Sequence, residues 1–146
     1  MAEAKLRAII DAVSEAADHA LELWAGGATR GKRWEKEPGQ PVCEADLAVN
    51  HMLYEALGRI DAQAGWLSEE TADNPARLSA QRLWVVDPID GTKDYLAGKP
   101  GWSVSVALIE QGQPIIGVLA APARNELWIA RIGEGAAMRR RISRSA

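Results

Sequence analysis

The sequence predicts an α+β domain in which helices are layered on an antiparallel or mixed sheet. Two observations carry that expectation: helical apolar spacing fills most of the first 60 residues, and short apolar runs bounded by polar turns fill most of the rest. At 146 residues, the chain is expected to form a single domain over 1–146.

The first helix is expected from Ala2 to Trp24, where Leu6, Ile9, Ile10, Val13, Ala17, Leu21 and Trp24 recur at spacings of three and four. Gly26-Gly27 should end it. Ala28 to Pro41 is polar, contains Gly31, Pro38, Gly39 and Pro41, and reads as a loop whose Arg30, Lys32, Arg33 and Lys36 form a solvated face. A second helix, about Ala45 to Ile60, gathers Leu47, Met52, Leu53, Ala56, Leu57 and Ile60 on one side. Trp66-Leu67 and Leu83 to Val86 then read as buried strands, joined by the polar stretch Thr71 to Gln81. Trp102 to Ile109, Pro114 to Ala120 and Leu127 to Ile132 follow as a meander. Arg139-Arg140-Arg141 reads as a solvated tail, His19 and His51 as helix-surface or interface residues, and Cys43 as a small buried hydrophobe.

Composition narrows the function classes. Seventeen Lys and Arg against 20 Asp and Glu give a net charge of −3, which implies no general polyanion-binding surface and no nucleic acid polymer as partner. A single cysteine forms no intrachain disulfide, and the start of the chain lacks the apolar core and cleavage site of a secretory signal, so a reducing cytoplasm is expected. No stretch approaches the ~18 consecutive apolar residues of a membrane span.

The chemistry concentrates in Leu83-Trp-Val-Val-Asp-Pro-Ile-Asp-Gly-Thr-Lys-Asp-Tyr-Leu96, where a hydrophobic strand runs into two carboxylates three residues apart. Pro88 keeps Asp87 extended. Asp90 has the residue type of an N-cap for a short helix from Gly91 to about Ala97, closed by Gly98. Both carboxylates then converge beside the amides of Gly91 and Thr92, which suit a phosphate. A metal at Asp87 and Asp90 next to that phosphate is the arrangement of metal-assisted ester hydrolysis. Ser68-Glu69-Glu70-Thr71, at the end of another strand, adds adjacent acids that point to opposite sides if extended, so that one enters the site while the other supports it or faces solvent. Oxygen ligands without a Cys/His cluster favour Mg²⁺. Taken alone, Asp-Pro-Ile-Asp-Gly-Thr has the composition of a capped turn and Glu69-Glu70 that of a solvated strand end. Their joint occurrence is what points to a site.

Together the motifs resemble those of the inositol monophosphatase-like family of Mg²⁺-dependent, lithium-sensitive phosphatases. The resemblance rests on Lys36, Pro41-Val-Cys-Glu-Ala-Asp46, Trp66-Leu-Ser-Glu-Glu70, Trp84-Val-Val-Asp-Pro-Ile-Asp-Gly-Thr92, and the stretch from Trp102 through Gly133-Glu-Gly-Ala136. Asp-Gly-Thr-Lys-Asp-Tyr-Leu96 looks more like the branch of 3′(2′),5′-bisphosphate nucleotidases, which act in sulfur assimilation, than like the inositol branch. The resemblance implies a layered αβαβα fold, two or three Mg²⁺ ions, a small phosphorylated metabolite as substrate, and a homodimer as one candidate assembly. It implies a first metal site of Glu69, Asp87 and the Ile89 backbone carbonyl, and a second of Asp87 and Asp90. Thr92 and Glu69 would hold the attacking water, made hydroxide-like as its pKa falls from about 15.7 to about 7–9. Asp46 and Lys36 would help hold a further, weaker metal and its waters, with Glu70 in support.

Two departures accompany the resemblance. Cys43 stands where the family usually has Thr, so a hydroxyl that could bond the carboxylate network is missing and a weaker third metal position is expected. Family members run to about twice this length, and their later half carries a Trp-Asp-x-Ala-Ala motif that completes the second metal site. The chain is therefore expected to correspond to the N-terminal, metal-binding half, with the C-terminal half absent and activity alone in doubt. A truncated paralogue that binds Mg²⁺ and phosphorylated ligands or pairs with a partner chain is the alternative. Phosphatases of the haloacid dehalogenase type fit less well, because their Asp-x-Asp-Gly-Thr spacing is one residue shorter and lies near the start of the fold. A P-loop pattern is absent.

Overall fold

The computed structural model describes residues 3–24, 33–37 and 40–141. Helix α1 spans Glu3–Trp24 and buries Leu6, Ile9, Ala12, Val13, Ala16, Ala17 and Ala20 along one stripe. The four alanines of that stripe keep the helix surface low, so it lies close against its neighbours. Helix α2, Glu44–Ile60, buries Ala45, Val49, Leu53 and Leu57 and packs on α1. Strands β3 (Gly65–Ser68), β4 (Arg82–Asp90), β5 (Ser103–Glu110), β6 (Gln113–Ala121), β7 (Glu126–Arg131) and β8 (Gly135–Arg140) form one sheet in sequence order. Only β3 and β4 run parallel; every later neighbour is antiparallel. This is the helix-on-mixed-sheet arrangement expected from the sequence.

Alternation along the strands decides which face the helices cover. Trp84, Val86, Val104, Val106, Leu108, Ile116, Val118, Ala120 and Leu127 are buried, while intervening residues such as Val85, Ser105, Ala107 and Leu119 are half-buried. Cross-strand pairs Val104–Ala120, Val106–Val118 and Leu108–Ile116 stack the core in layers. Phe is absent from the sequence, so tryptophan supplies much of the bulk, and Trp84 and Trp102 are essentially inaccessible. Fully burying each such side chain contributes about 1.5–3 kcal/mol or more.

Two expectations change. Within the stretch read as a loop, residues 33–37 and 40–43 form an antiparallel hairpin, β1 (Arg33–Glu37) and β2 (Gln40–Cys43). Pro38 and Gly39, read as loop formers, fall between the strands, and two short polar strands leave no period to detect. Lys36 is the extra residue where the hairpin register shifts between Glu35 and Glu37. Its side chain, the Gly26-Gly27 stop and Arg30 and Lys32 lie outside the described residues. The Arg139-Arg140 run is not a tail but the end of β8, paired along β7. Arg141 is buried, donates to the Ser14 carbonyl at 3.1 Å and forms an ion pair with Asp18 of α1. Alanine, methionine and arginine carry little strand signal, so only pairing with β7 reveals β8. The polar connection before β4 is present as expected and contains a 3-10 helix at Pro75–Ser79, capped by Asn74 Oδ1 accepting from Ala76 N at 3.0 Å.

Candidate active site

The site follows from the one parallel pair in the sheet. Ser68 and Val86 are opposite partners in β3 and β4, so the next residues, Glu69 just past β3 and Asp87 within β4, lie at the same end of the pair. A strand alone would then send Asp90 to the opposite face from Asp87, three residues earlier. The β4–β5 register prevents this: Asp87 pairs with Ser105 and Asp90 with Ser103, so four residues of β4 oppose three of β5. One extra residue at Pro88-Ile89 reverses the alternation, both of those residues are buried, and Asp90 returns to the side of Asp87. The convergence expected from the sequence is present, but a bulge produces it rather than a turn capped by Asp90.

Asp90 is not the N-cap. It ends β4, and Gly91 caps helix α3 (Thr92–Leu96) in the left-handed region at φ 86°. An added Cβ would lie 3.3 Å from the Gly101 carbonyl oxygen, which is why glycine suits the position twice over. Helix α3 is held by its buried Tyr95, whose hydroxyl donates to the Ala20 carbonyl of α1 at 2.9 Å and whose ring meets Trp102 edge-on at 4.8 Å. Thr92, the first helical residue, is thereby fixed against α2.

Burial and clustered carboxylates set the electrostatics of the site. Burial, and then the neighbouring Asp90 and Glu69 carboxylates, push the Asp87 carboxyl up from 3.8 to about 7. Thr92 Oγ1 lies 3.2 Å from Asp46 Oδ1 and 3.1 Å from the Ile89 carbonyl oxygen, so its hydrogen is directed to that pair. Asp46, 1% exposed, takes the Cys43 amide on Oδ2 at 2.9 Å and the Cys43 thiol at 3.2 Å. Cys43 therefore does bond the carboxylate network, as its own donor, and the expectation of a lost bond is corrected. Burial, together with the Asp46 charge, raises its thiol to about 12, so it acts as a donor and not as a thiolate.

Glu69 and Glu70 are not extended. They sit in a turn after β3, closed by Thr71 N donating to the Ser68 carbonyl at 3.3 Å, with Glu69 exposed and Glu70 half-buried. The structure thus brings together Glu69, Asp87, Asp90, Thr92, the Ile89 carbonyl and Asp46, with Gly91 at the head of α3. It keeps His19 and His51 apart on separate helices. Sequence reasoning missed Asn50 and Ser68, buried polar residues beneath the Glu69 turn; the one available signal was Asn50 lying four residues after Asp46, on the same helical face.

The donor set fits a hard divalent cation, because carboxylates and a carbonyl oxygen gather around a carboxyl whose pKa is raised by burial and by its neighbouring acids. Among the described residues no three His, Cys, Asp or Glu side chains form a ready-made metal cage.

Comparison with known proteins places this geometry. The family model described as the inositol monophosphatase family matches residues 3–145. A histidinol-phosphatase of Mycobacterium tuberculosis is 43% identical over 96 residues, 66% of this chain and 36% of that protein. The 3′(2′),5′-bisphosphate nucleotidase CysQ of Salmonella typhimurium is 39% identical over 102 residues, 68% of this chain and 41% of that protein. The crystal structure of the extragenic suppressor protein suhB from Bartonella henselae superposes with a TM-score of 0.85 at 28% identity, covering 99% of this chain and 54% of that one. The chain spans about half the length of that structure and less of the two relatives. With its fold, its acidic strand ends and nearly all its residues matched, the chain belongs to the inositol monophosphatase family.

Proposed function

We propose that the chain carries the metal-binding part of a Mg²⁺-dependent phosphate monoester hydrolase acting on a small phosphorylated metabolite. The observation that carries this reading is the β4 bulge, which turns Asp90 back beside Asp87, the carboxyl that also feels Glu69. Asp87, Asp90, Glu69 and the Ile89 carbonyl would hold divalent cations, with Asp46 as an outer contributor. When bound, such cations supply Lewis-acid charge that lowers the pKa of a nearby water and offsets the charge of the phosphate.

The chain's own residues then have distinct tasks. The Thr92 hydroxyl directs its hydrogen toward Asp46 and the Ile89 carbonyl, which leaves its oxygen lone pairs to accept from a water. Glu69 takes the proton that this water loses on attacking phosphorus, while the ester P–O bond breaks and the leaving alkoxide takes a proton from solvent water. Gly91 and Thr92, at the N-terminal end of α3, offer backbone amides to the phosphate. Asp46 acts through Thr92, and Cys43 holds Asp46.

As for substrate, Asp-Gly-Thr-Lys-Asp-Tyr-Leu96 favours a 3′(2′),5′-bisphosphate nucleotide over inositol phosphate. The test is phosphate release by the chain with Mg²⁺, using adenosine 3′,5′-bisphosphate, inositol 1-phosphate and histidinol phosphate in parallel. Release that Asp90→Asn lowers at least about a hundredfold supports the reading and names the substrate. Equal release by Asp90→Asn, or an aspartyl-phosphate trapped on Asp87, overturns it.

A further inference from the structure

Helix α2 presents two polar side chains four residues apart, and each is tied to a different piece of the carboxylate site. Asp46 receives Thr92. Asn50 receives the turn that carries Glu69 and Glu70. Its Oδ1 accepts from Ser68 Oγ at 2.6 Å, and its Nδ2 donates to Thr71 Oγ1 at 2.9 Å. Ser68 and Thr71 are the first and last residues of that turn. Ser68 Oγ also accepts the Glu70 amide at 3.3 Å, and Thr71 Oγ1 accepts Trp66 Nε1 at 3.1 Å.

One amide therefore clamps both ends of a turn whose middle holds the acids. Strand pairing alone would not do this, because β3 is a four-residue edge strand paired on one side only. Asparagine is also a poor choice for a helix interior, and burying its amide carries a cost that an apolar residue at the same position would avoid. A local rule broken in this way is expected where geometry matters more than stability.

We propose that Asn50 is a positioning residue: it holds the Glu69–Glu70 turn in register with Asp87 and so sets the affinity of the site for a divalent cation. The inference rests on the reading of these carboxylates as a cation site. Asp46 and Asn50 then make α2 the common template for both halves of the site, one carried by α3 and one by the end of β3.

The test is a Mn²⁺ titration of the full chain, followed by the electron paramagnetic resonance signal of free Mn²⁺, with metal-free melting in parallel. Glu69→Gln should weaken binding. Asn50→Leu, similar in volume and a better helix former, should melt close to the wild-type temperature without metal yet bind Mn²⁺ about 10–100-fold more weakly. Glu69→Gln added to Asn50→Leu should cost less than it does in the wild type, because the carboxylate is already misplaced. Should Asn50→Leu fail to fold, Thr71→Val removes the outer end of the clamp, with an expected loss of about three- to tenfold. Unchanged Mn²⁺ affinity in the folded variant, or losses that add in full, overturns the positioning role. Wild-type Mn²⁺ binding that is absent, or indifferent to Glu69→Gln and Asp87→Asn, overturns the cation-site reading itself, and it shows before any Asn50 variant is made.

Discussion

Asp87 links the charge of the site to the stability of the chain. Its carboxyl keeps a proton up to about pH 7 in the fold, against an ordinary value of 3.8. Between those two values the folded state binds more protons than the unfolded one, so this residue makes stability fall as pH rises, with the full penalty in place above pH 7. Without metal, Asp87→Asn is therefore expected to stabilise the chain by about 1–3 kcal/mol at pH 8 and to change little at pH 4. Denaturant titrations at the two pH values measure the difference, and equal gains at both would contradict the assignment. The acids drew notice in the sequence only through their joint occurrence, because each pair alone reads as a capped turn or a solvated strand end. Cys43 is buried as expected, and only the fold shows its sulfur 3.2 Å from Asp46.

Among the elements, β4 carries the most information, because a hydrophobic run, a bulge and a left-handed glycine follow one another in nine or ten residues. Gly91→Ala must adopt φ 86° with its methyl 3.3 Å from the Gly101 carbonyl, whereas Gly133, at φ 80°, has open space around it. Gly91→Ala is expected to cost about 2–3 kcal/mol and Gly133→Ala only about 1 kcal/mol, the strain shared by both. Equal losses in thermal unfolding would mean that the contact with Gly101 relaxes freely. The helices and the central strands were readable from period alone, since each buries one face. The β1–β2 hairpin and β8 were not: their residues have no apolar alternation, and what defines them is a neighbouring backbone.

The molecule as a whole is tied together by a few long-range polar links laid over the core. Asp61, at the end of α2, receives Lys5 of α1 and Arg82 of β4, and the Arg82 guanidinium holds its carboxyl down at about 2. No described helix is long and apolar enough to cross a membrane. The helix-covered face is filled, while the other face of the sheet exposes Trp128 at 43% and Met138 at 39%, neighbours across β7 and β8. The acidic site lies at the end of β3 and β4, toward the opposite edge of the sheet, with Asp87 in the same cross-strand row as Ser105, Leu119, Trp128 and Met138. A divalent cation that binds only the folded chain stabilises it in proportion to occupancy, so Mg²⁺ at 100 times its dissociation constant should add about 2.7 kcal/mol. Melting curves indifferent to both Mg²⁺ and Mn²⁺ would count against an assembled site.

By itself the sequence determined the helix-on-sheet class, the identity of the acids and the family, because apolar period and residue chemistry are local properties. It could place Asp87 and Asp90 three residues apart, but not on the same side of the sheet. That was decided by tertiary structure, through the parallel register of β3 with β4 and the extra residue opposite β5. The same holds for Asn50 and Ser68, ordinary polar residues until α2 and the end of β3 meet. Pairing between segments distant in the chain sets which side chains face one another, and no local pattern records it.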